Sequence, residues 1–402
     1  MNRSIFILLL TVVSLANCVV AAPSVVSVAN VSELQEALDK ALPDDLIQLA
    51  PGKYSLKAPL RVHRSGLSSK PITIIASSKR DTIITGPFGI DASNAVHIVF
   101  EDIIWFNIRN HPVVTQRGSA GIKFYKNEFH RCGLIVEQEH YERQPVSAPV
   151  HFQYCFFRLC QPESLLHLKR PGNRVMVNTF DRCRGVVWLE GDGSVIRGNY
   201  FLQENEVGTK LVALGNAIKV INNYFLRDIS GSSKILVQSS RFSVVAHNTF
   251  MHCERPYVEL RKKLGTEESL QCTVENNLIV NEATFAGVGP LFKVDSDADR
   301  ITWGANLVFP ATAKEGLVVG AQVPEKKWVL GDPGLQAVGG IWQLTPGSLA
   351  EDAGTNHSGA TMTDIEGKIR GLRPDIGAHE ASNEAITHPR PVSAIVEERR
   401  LD

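Results

Sequence analysis

The apolar residues of this chain fall into short, β-branched runs rather than long stripes. Ser164 to Leu168 is followed by Arg174 to Phe180, and Val186 to Leu189 by Val195 to Phe201. Lys210 to Leu214 is followed by Ile218 to Phe225, and Lys234 to Val237 by Val244 to Phe250. Gly, Asn, Ser and Asp separate the runs, which is the punctuation of strands and turns. The second run of each unit carries Asn, any residue, then an aromatic or aliphatic. The copies are Asn127-Glu-Phe129, Asn178-Thr-Phe180, Asn199-Tyr-Phe201, Asn223-Tyr-Phe225, Asn248-Thr-Phe250 and Asn277-Leu-Ile279. Cys155-Phe-Phe157 stands where Asn127 and Asn178 leave a gap, and Asn306 starts a further copy. From Asn127 the successive steps are 28, 23, 21, 24, 25, 29 and 29 residues. A period of roughly 20–50 residues marks a repeat architecture. The units have no room for a helix between strands, which excludes βαβ repeats, and propeller blades need roughly 40 residues or more. The pattern predicts an all-β fold, a single-stranded right-handed parallel β-helix solenoid. In it the recurring Asn is expected to take a turn conformation costly for most residues and to stack amide on amide.

The two ends break the pattern. Leu34, Ala37 and Leu38 have helical spacing, and Ser32 with Gln35 has the form of a capping box. A short N-terminal helix over Val31 to Asp39 would cap the open end of the first coil, as a solenoid requires. Strands are predicted at Leu46 to Leu49, Ile72 to Ile75, Thr82 to Ile84 and Val96 to Phe106. Residues 1–22 have the form of a secretion signal: Arg3, an apolar stretch from Ile5 to Leu15, and small residues at Val20-Ala21-Ala22. The expected organisation is a signal over 1–22, one β-helix domain over 23–381 and a loose charged tail over 382–402. A secreted, extracellular protein is the expectation. Two sequons, Asn30-Val-Ser32 and Asn356-His-Ser358, agree with it.

Composition narrows the partners. The 402 residues carry 42 Lys plus Arg and 42 Asp plus Glu. No basic excess argues for nucleic acid, and no segment after the signal is long and apolar enough to span a membrane. The chain is expected to act as a monomer. Of seven cysteines, Cys18 lies in the signal. Cys132, Cys160, Cys183 and Cys253 each follow the repeat's Phe by three positions. Parallel strands lie ~4.8 Å apart, so Cys132, Cys160 and Cys183 are expected to form an interior column. A disulfide between neighbouring coils is the alternative at that spacing.

Several segments resemble polysaccharide lyases of the chondroitinase-B and alginate-lyase type. They are Glu33-Leu-Gln-Glu-Ala-Leu38 with Asp44 to Tyr54, Lys70 to Ile74, Leu165-Leu-His-Leu-Lys169 followed by Asn178-Thr-Phe180, Asn222 to Phe225, and Asp364 to Gly367 with Arg373 to Gly377. The resemblance covers most of the chain after the signal and implies a parallel β-helix that cleaves a uronic-acid-containing polysaccharide, of alginate or chondroitin/dermatan type, by β-elimination. It places Lys169 at the position of the base and Glu190 at that of the family's assisting arginine. It implies calcium as a cofactor, with Glu163 matching one acidic ligand and Ser164 standing at the other. A base must have a suitable proton affinity and reach, and the developing charge needs fixed positive partners.

The repeat supplies an independent ruler. Lys169 precedes Asn178 by nine residues, and Glu190 precedes Asn199 by nine. The two should be stacked neighbours ~5 Å apart. A carboxylate beside an ammonium favours its charged form and works against a lysine base, and a surface Lys169–Glu190 ion pair is the plain structural expectation. His167 shares the face of Lys169 and is a candidate substitute base or sugar contact. Arg170, Arg184 and Arg241 are candidates for binding uronate carboxylates. Two readings follow: a polysaccharide lyase, or a non-catalytic protein that binds such acidic polymers. A weaker third, a glycoside hydrolase, would use Glu190 and Asp192 as carboxylates about 5–9.5 Å apart.

Overall fold

The computed structural model describes residues 23–79, 81–109, 112–116, 120–138, 149–206, 208–228, 234–238, 240–253, 257–262, 270–281, 290–295, 300–309, 318–319, 327–356, 363–381 and 386–391. The signal expected over 1–22 lies outside them. The chain winds through three parallel sheets, here A, B and C in the order each coil visits them, with 12, 12 and 11 strands. One turn runs from Ser164–Leu168 in sheet C through Arg174–Met176 in A and Thr179–Asp181 in B to Gly185–Leu189 back in C. The strands stack on their counterparts in adjacent coils, as in Phe157↔Phe180 and Phe180↔Phe201, with register shifts at Ser164/Leu166 and Leu202/Glu206. This is the expected parallel β-helix.

In-register pairing puts like residues on top of one another. The rings of Trp105, Phe129, Phe157, Phe180, Phe201, Phe225 and Phe250 form one interior stack, with centroids 6.3, 4.8, 4.5, 4.7, 4.7 and 5.0 Å apart and planes within 10° of parallel. Each aromatic contact adds about 0.5–1.5 kcal/mol beyond its buried area. Beside it runs an amide ladder. Asn178 Nδ2 donates to Asn199 Oδ1 at 2.9 Å, Asn199 to Asn223 at 2.9 Å, Asn223 to Asn248 at 3.1 Å, Asn248 to Asn277 at 3.1 Å and Asn277 to Asn306 at 3.0 Å. The same Oδ1 atoms accept backbone N–H groups, for example Asn178 N at 3.0 Å. Cys155 interrupts the ladder: its N–H donates to Asn178 Oδ1 at 2.8 Å, while its thiol turns to the Phe124 carbonyl at 3.5 Å.

The ladder corrects one expectation. The costly backbone conformation belongs to the residue before the recurring Asn. Lys126, Tyr154, Val177, Asn222, His247 and Asn276 have φ between 54° and 57°. A second left-handed position lies at or near the other end of six sheet B strands, at Asn107, Arg131, Leu159, Arg182, Arg227 and His252, with φ between 49° and 57°. These bends aim the following N–H groups at the ladder, so the Asn side chain serves the corner without adopting its strain.

Cys132, Cys160, Cys183 and Cys253 are buried and free, as the interior column requires. Burial pushes the Cys155 and Cys253 thiols up to about 12, which suits inert packing groups. The helix spans Val31–Lys40 and buries Leu34 and Leu38. Its cap is Asn30 rather than Ser32. Asn30 Oδ1 accepts the Glu33 N–H at 3.0 Å, and Glu33 Oε2 accepts the Ala29 N–H at 2.7 Å. The extended backbone of Asn30 (φ −151°, ψ 170°) sets this frame and leaves Ser32 inside the helix.

The region after 310 closes the solenoid's flank. Ile341, Leu344, Ala350, Ile365, Ile376 and Ala378 cover Tyr200, Tyr224, Leu278 and Leu307 on the outer face of sheet B. Arg370 pins this segment: it donates to Glu380 Oε2 at 2.6 Å, Gly377 O at 2.8 Å, Asp375 O at 3.1 Å and Asn222 Oδ1 at 3.1 Å. Residues 386–391, expected to be loose, are held to the solenoid. Thr179 Oγ1 donates to the Pro391 carbonyl at 2.8 Å, and Arg390 lies over the Tyr200 ring. The apolar outer face of sheet B supplies the anchor that the tail's charged composition did not suggest.

Two predictions follow from these contacts. Val177 holds a left-handed φ of 54° although β-branched, is buried, and belongs to no apolar cluster. Val177→Asn, the residue that Asn222 and Asn276 place at the same corner, should stabilise the fold by about 1 kcal/mol in urea unfolding. Burial among Arg370, Asp375 and Asp364 leaves more carboxylates than cations, and Glu380 is raised from 4.5 to about 7 chiefly by burial. Its folded pKa thus exceeds its unfolded one, so its contribution is full below about 4.5 and lost as pH rises through about 7. Glu380→Gln, a neutral isostere, should gain on the wild type by on the order of 1–3 kcal/mol between those limits when melts are compared across pH.

Candidate functional site

The candidate site lies on the outer face of sheet C. The register there is Glu137↔His167↔Trp188↔Val212↔Leu236↔Glu259↔Lys293. Leu166, Leu168, Val187 and Leu189 point inward to the core, so alternation sends His167, Trp188, Lys169 and Glu190 outward. A register shift between Ser164 and Leu166 sets this phase. Leu165 is the extra residue of a β-bulge, and both Leu165 and Leu166 are buried. Without it His167 would lie a residue out of phase with Trp188.

Glu190 N donates to Leu168 O at 2.9 Å, so Lys169 and Glu190 are neighbours along the backbone as the repeat requires. Their side chains do not pair. His167 Nε2 lies 2.6 Å from Glu190 Oε1, with both side chains partly exposed. Lys169 is half-buried and makes no hydrogen bond or ion pair among the described residues. Ordering a lysine side chain costs more rotamer entropy than ordering an imidazole, and the imidazole takes the carboxylate.

Arg170, the next residue, is only 9 % exposed, and burial lowers its proton affinity. It builds the corner: its N–H donates to Gln138 Oε1 at 3.1 Å and its carbonyl accepts Asn173 Nδ2 at 2.5 Å. Its guanidinium meets no carboxylate among the described residues. Arg184 and Glu163 are exposed at the opposite end of their strands, roughly 17–20 Å along the sheet from Lys169. Arg241 is exposed at the same corner as Lys169 but three coils on, about 14 Å away. The structure thus gathers Lys169, His167 and Glu190, with Arg170 adjacent, and leaves Arg184, Arg241 and Glu163 apart. Asp192 caps a corner by accepting the Asn216 N–H at 2.8 Å.

Calcium needs about six to eight oxygen ligands. Glu163 is exposed, Ser164 Oγ is buried without a partner, and no group of three or more His, Cys, Asp or Glu that could hold a metal occurs among the described residues. Those residues do not fit a calcium shell, and no step below passes through one.

Two neighbours escaped the sequence reading. Trp188 is half-buried one coil from His167, with ring centroids 6.2 Å apart. Lys210, paired in register with Val186, is half-buried on the same face. The two-residue step from Trp188 to Glu190, which the repeat places on the outward face, was the signal for Trp188. Beyond it Val212 and Leu236 face outward yet are buried, so this central row closes after Trp188 while Lys210 beside it stays half-buried.

Comparison with protein-family models and with curated proteins finds no match. Solved structures do match. A PL6-family alginate lyase is 14 % identical with a TM-score of 0.49, over 90 % of this chain and 59 % of that one. This chain therefore spans well under two thirds of that enzyme. A mannuronic-acid-specific family 6 lyase from human gut microbiota is 12 % identical (TM-score 0.45; 75 % and 92 % covered). A pectate lyase from Bacillus sp. N165 in complex with trigalacturonate is 14 % identical (TM-score 0.42; 67 % and 86 % covered). These neighbours are polysaccharide lyases, and at such identities the likeness is one of fold.

The corner after Glu190 is intolerant. An added Cβ at Gly191 would run into the Arg170 carbonyl oxygen and the Pro171 backbone. Gly191→Ala should destabilise the protein by about 1–3 kcal/mol in denaturant titration, whereas Gly193→Ala meets no atom within 4 Å and pays only for its left-handed φ of 66°.

Proposed function

We propose that this chain is a secreted polysaccharide lyase that cleaves a uronic-acid-containing polysaccharide by β-elimination, with Lys169 as the base. The observation that carries the reading is the 2.6 Å contact between His167 and Glu190. The carboxylate that threatened to hold Lys169 in an ion pair is engaged by an imidazole, and the lysine amine stands without a charged partner among the described residues, on an open strand end. The sequence resemblance assigns the same residue to the same task.

The reaction asks little of the protein beyond placement. The neutral amine of Lys169 takes the proton beside the sugar carboxylate, and that C–H electron pair becomes the new double bond. The bond to the leaving oxygen breaks with its electrons, and the oxygen takes a proton. His167, two residues away on the same face, is the group we assign to supply it, and Glu190 orients the ring. Arg170 and Lys169's own charge after proton uptake are the nearest positive groups for the carboxylate. Export rests on the signal-like first 22 residues.

The test is direct. The mature protein is incubated with alginate, chondroitin, dermatan and polygalacturonate, with and without calcium, and the ultraviolet absorbance of the unsaturated product is followed. Product should appear with at least one polymer and fall by about a hundredfold or more in Lys169→Ala, the usual weight of a general base. Activity that survives Lys169→Ala would reject the base. Binding without unsaturated product would replace the lyase by a polymer-binding protein, and a saturated product would mean hydrolysis.

A further inference from the structure

The outer face of sheet C holds more positive charge than its carboxylates engage. Glu190 is taken by His167 at 2.6 Å and Glu259 by Arg261 at 2.6 Å and Lys293 at 3.3 Å, while at the entry to the sheet Asp228, the last residue of a sheet B strand, is taken by Lys234 at 3.0 Å. Lys169 and Lys210, both half-buried, have no ion-pair partner among the described residues. Glu137, one coil before His167, is the other carboxylate on this part of the face and lies on the far side of His167 from Lys210. Between the two lysines stands Trp188. Its indole N–H makes no hydrogen bond among the described residues, although a half-buried indole ordinarily finds one.

Spacing defines what could fit. Val186 pairs with Lys210 and Trp188 with Val212, so Trp188 and Lys210 are one strand and two residues apart, about 8 Å between Cα atoms. That gap takes one pyranose ring, with its C–H face on the indole and an acidic substituent toward the ammonium. We infer that Trp188 and Lys210 form a binding subsite for one acidic pyranoside unit, next to the Lys169–His167–Glu190 group. The inference rests on the polysaccharide reading above and adds the residues that would select a charged sugar over a neutral one. Burial first, then the Arg261 and Lys234 charges, weaken the hold of Lys210 on its proton, and Glu259 only partly opposes them, so a bound carboxylate restores the charge that desolvation opposes. A neutral or esterified sugar offers no such compensation.

The experiment uses the mature chain carrying Lys169→Ala, so that bound oligosaccharides persist. Oligomers of alginate, chondroitin and galacturonan, and methyl-esterified galacturonan, are titrated by calorimetry and by tryptophan fluorescence. An acidic oligomer should bind and perturb the fluorescence. Trp188→Ala should weaken binding about tenfold and Trp188→Phe should recover most of it. Lys210→Gln should weaken the acidic oligomer about tenfold and leave the weak binding of the ester unchanged. Equal affinity for parent, Trp188→Ala and Lys210→Gln would overturn the subsite, while unsaturated product from the Lys169-intact chain would still uphold the lyase. Binding that needs both residues with no product from the intact chain would reject the lyase and keep the subsite. No binding to any probe would overturn the subsite, and together with no unsaturated product from the intact chain it would overturn the lyase as well. Trp188→Phe and Lys210→Gln keep the test decisive if Trp188→Ala fails to fold.

Discussion

Everything in this molecule depends on the fixed ~4.8 Å step between parallel strands. That distance is close to the thickness of an aromatic ring pair and to the reach of one amide hydrogen bond. A residue type repeated once per coil therefore touches itself all the way down. The phenylalanine stack and the asparagine ladder are both consequences of that match. The ladder has the larger structural reach, because from Asn199 onward each Oδ1 accepts a side-chain and a backbone donor from the coil before it. Buried polar groups are tolerable only when so satisfied. Loss of one amide would strip two donors on the coil before it of their acceptor and take a donor from the coil after it.

The same rigidity places the chemistry. His167 and Lys169 face outward only because the bulge at Leu165 adjusts the phase of their strand. Glu190 meets His167 only because the next strand stacks in register. The left-handed corners and the close approach at Gly191 hold the strand ends where those side chains begin. A site on strands and tight corners is held more firmly than one on long loops. In this protein the site is thus an edge property of the solenoid.

Much of this was legible in the chain. The Asn-x-Phe spacing specified the fold, the interior cysteines and the adjacency of Lys169 and Glu190 before any coordinate. What it could not carry was side-chain choice. The repeat places two Cα atoms side by side, and it does not say whether a carboxylate turns to a lysine or to a histidine one strand across. The helix cap was misassigned for a similar reason. Asn30 and Ser32 are both good caps, and the backbone of Asn30 alone decides between them. The docking of 386–391 depended on the apolar outer face of sheet B, whose Tyr200 and Tyr224 sit in the repeat as ordinary strand residues. Trp188 was visible only through its two-residue step from Glu190, because it sits in the unbroken apolar run Val186 to Leu189, where polarity does not mark the outward positions.

The electrostatics of the face connect fold to function. Glu190 in place of a positive residue makes the site less favourable for a polyanion if charges are merely counted. Counting is misleading here, since a carboxylate bonded to His167 and a cation left without a partner do not present equally to a ligand. Lys169, Arg170 and Lys210 are all partly or wholly withdrawn from water. Their fields are less screened than those of freely exposed lysines, so salt should weaken their pull on a uronate less than it weakens ordinary surface attraction. Withdrawn cations also carry an unpaid desolvation cost, which a carboxylate can offset and a hydroxyl cannot. On the proposed reading, a face built this way would favour an acidic over a neutral sugar before any chemistry, whatever the role of Lys169.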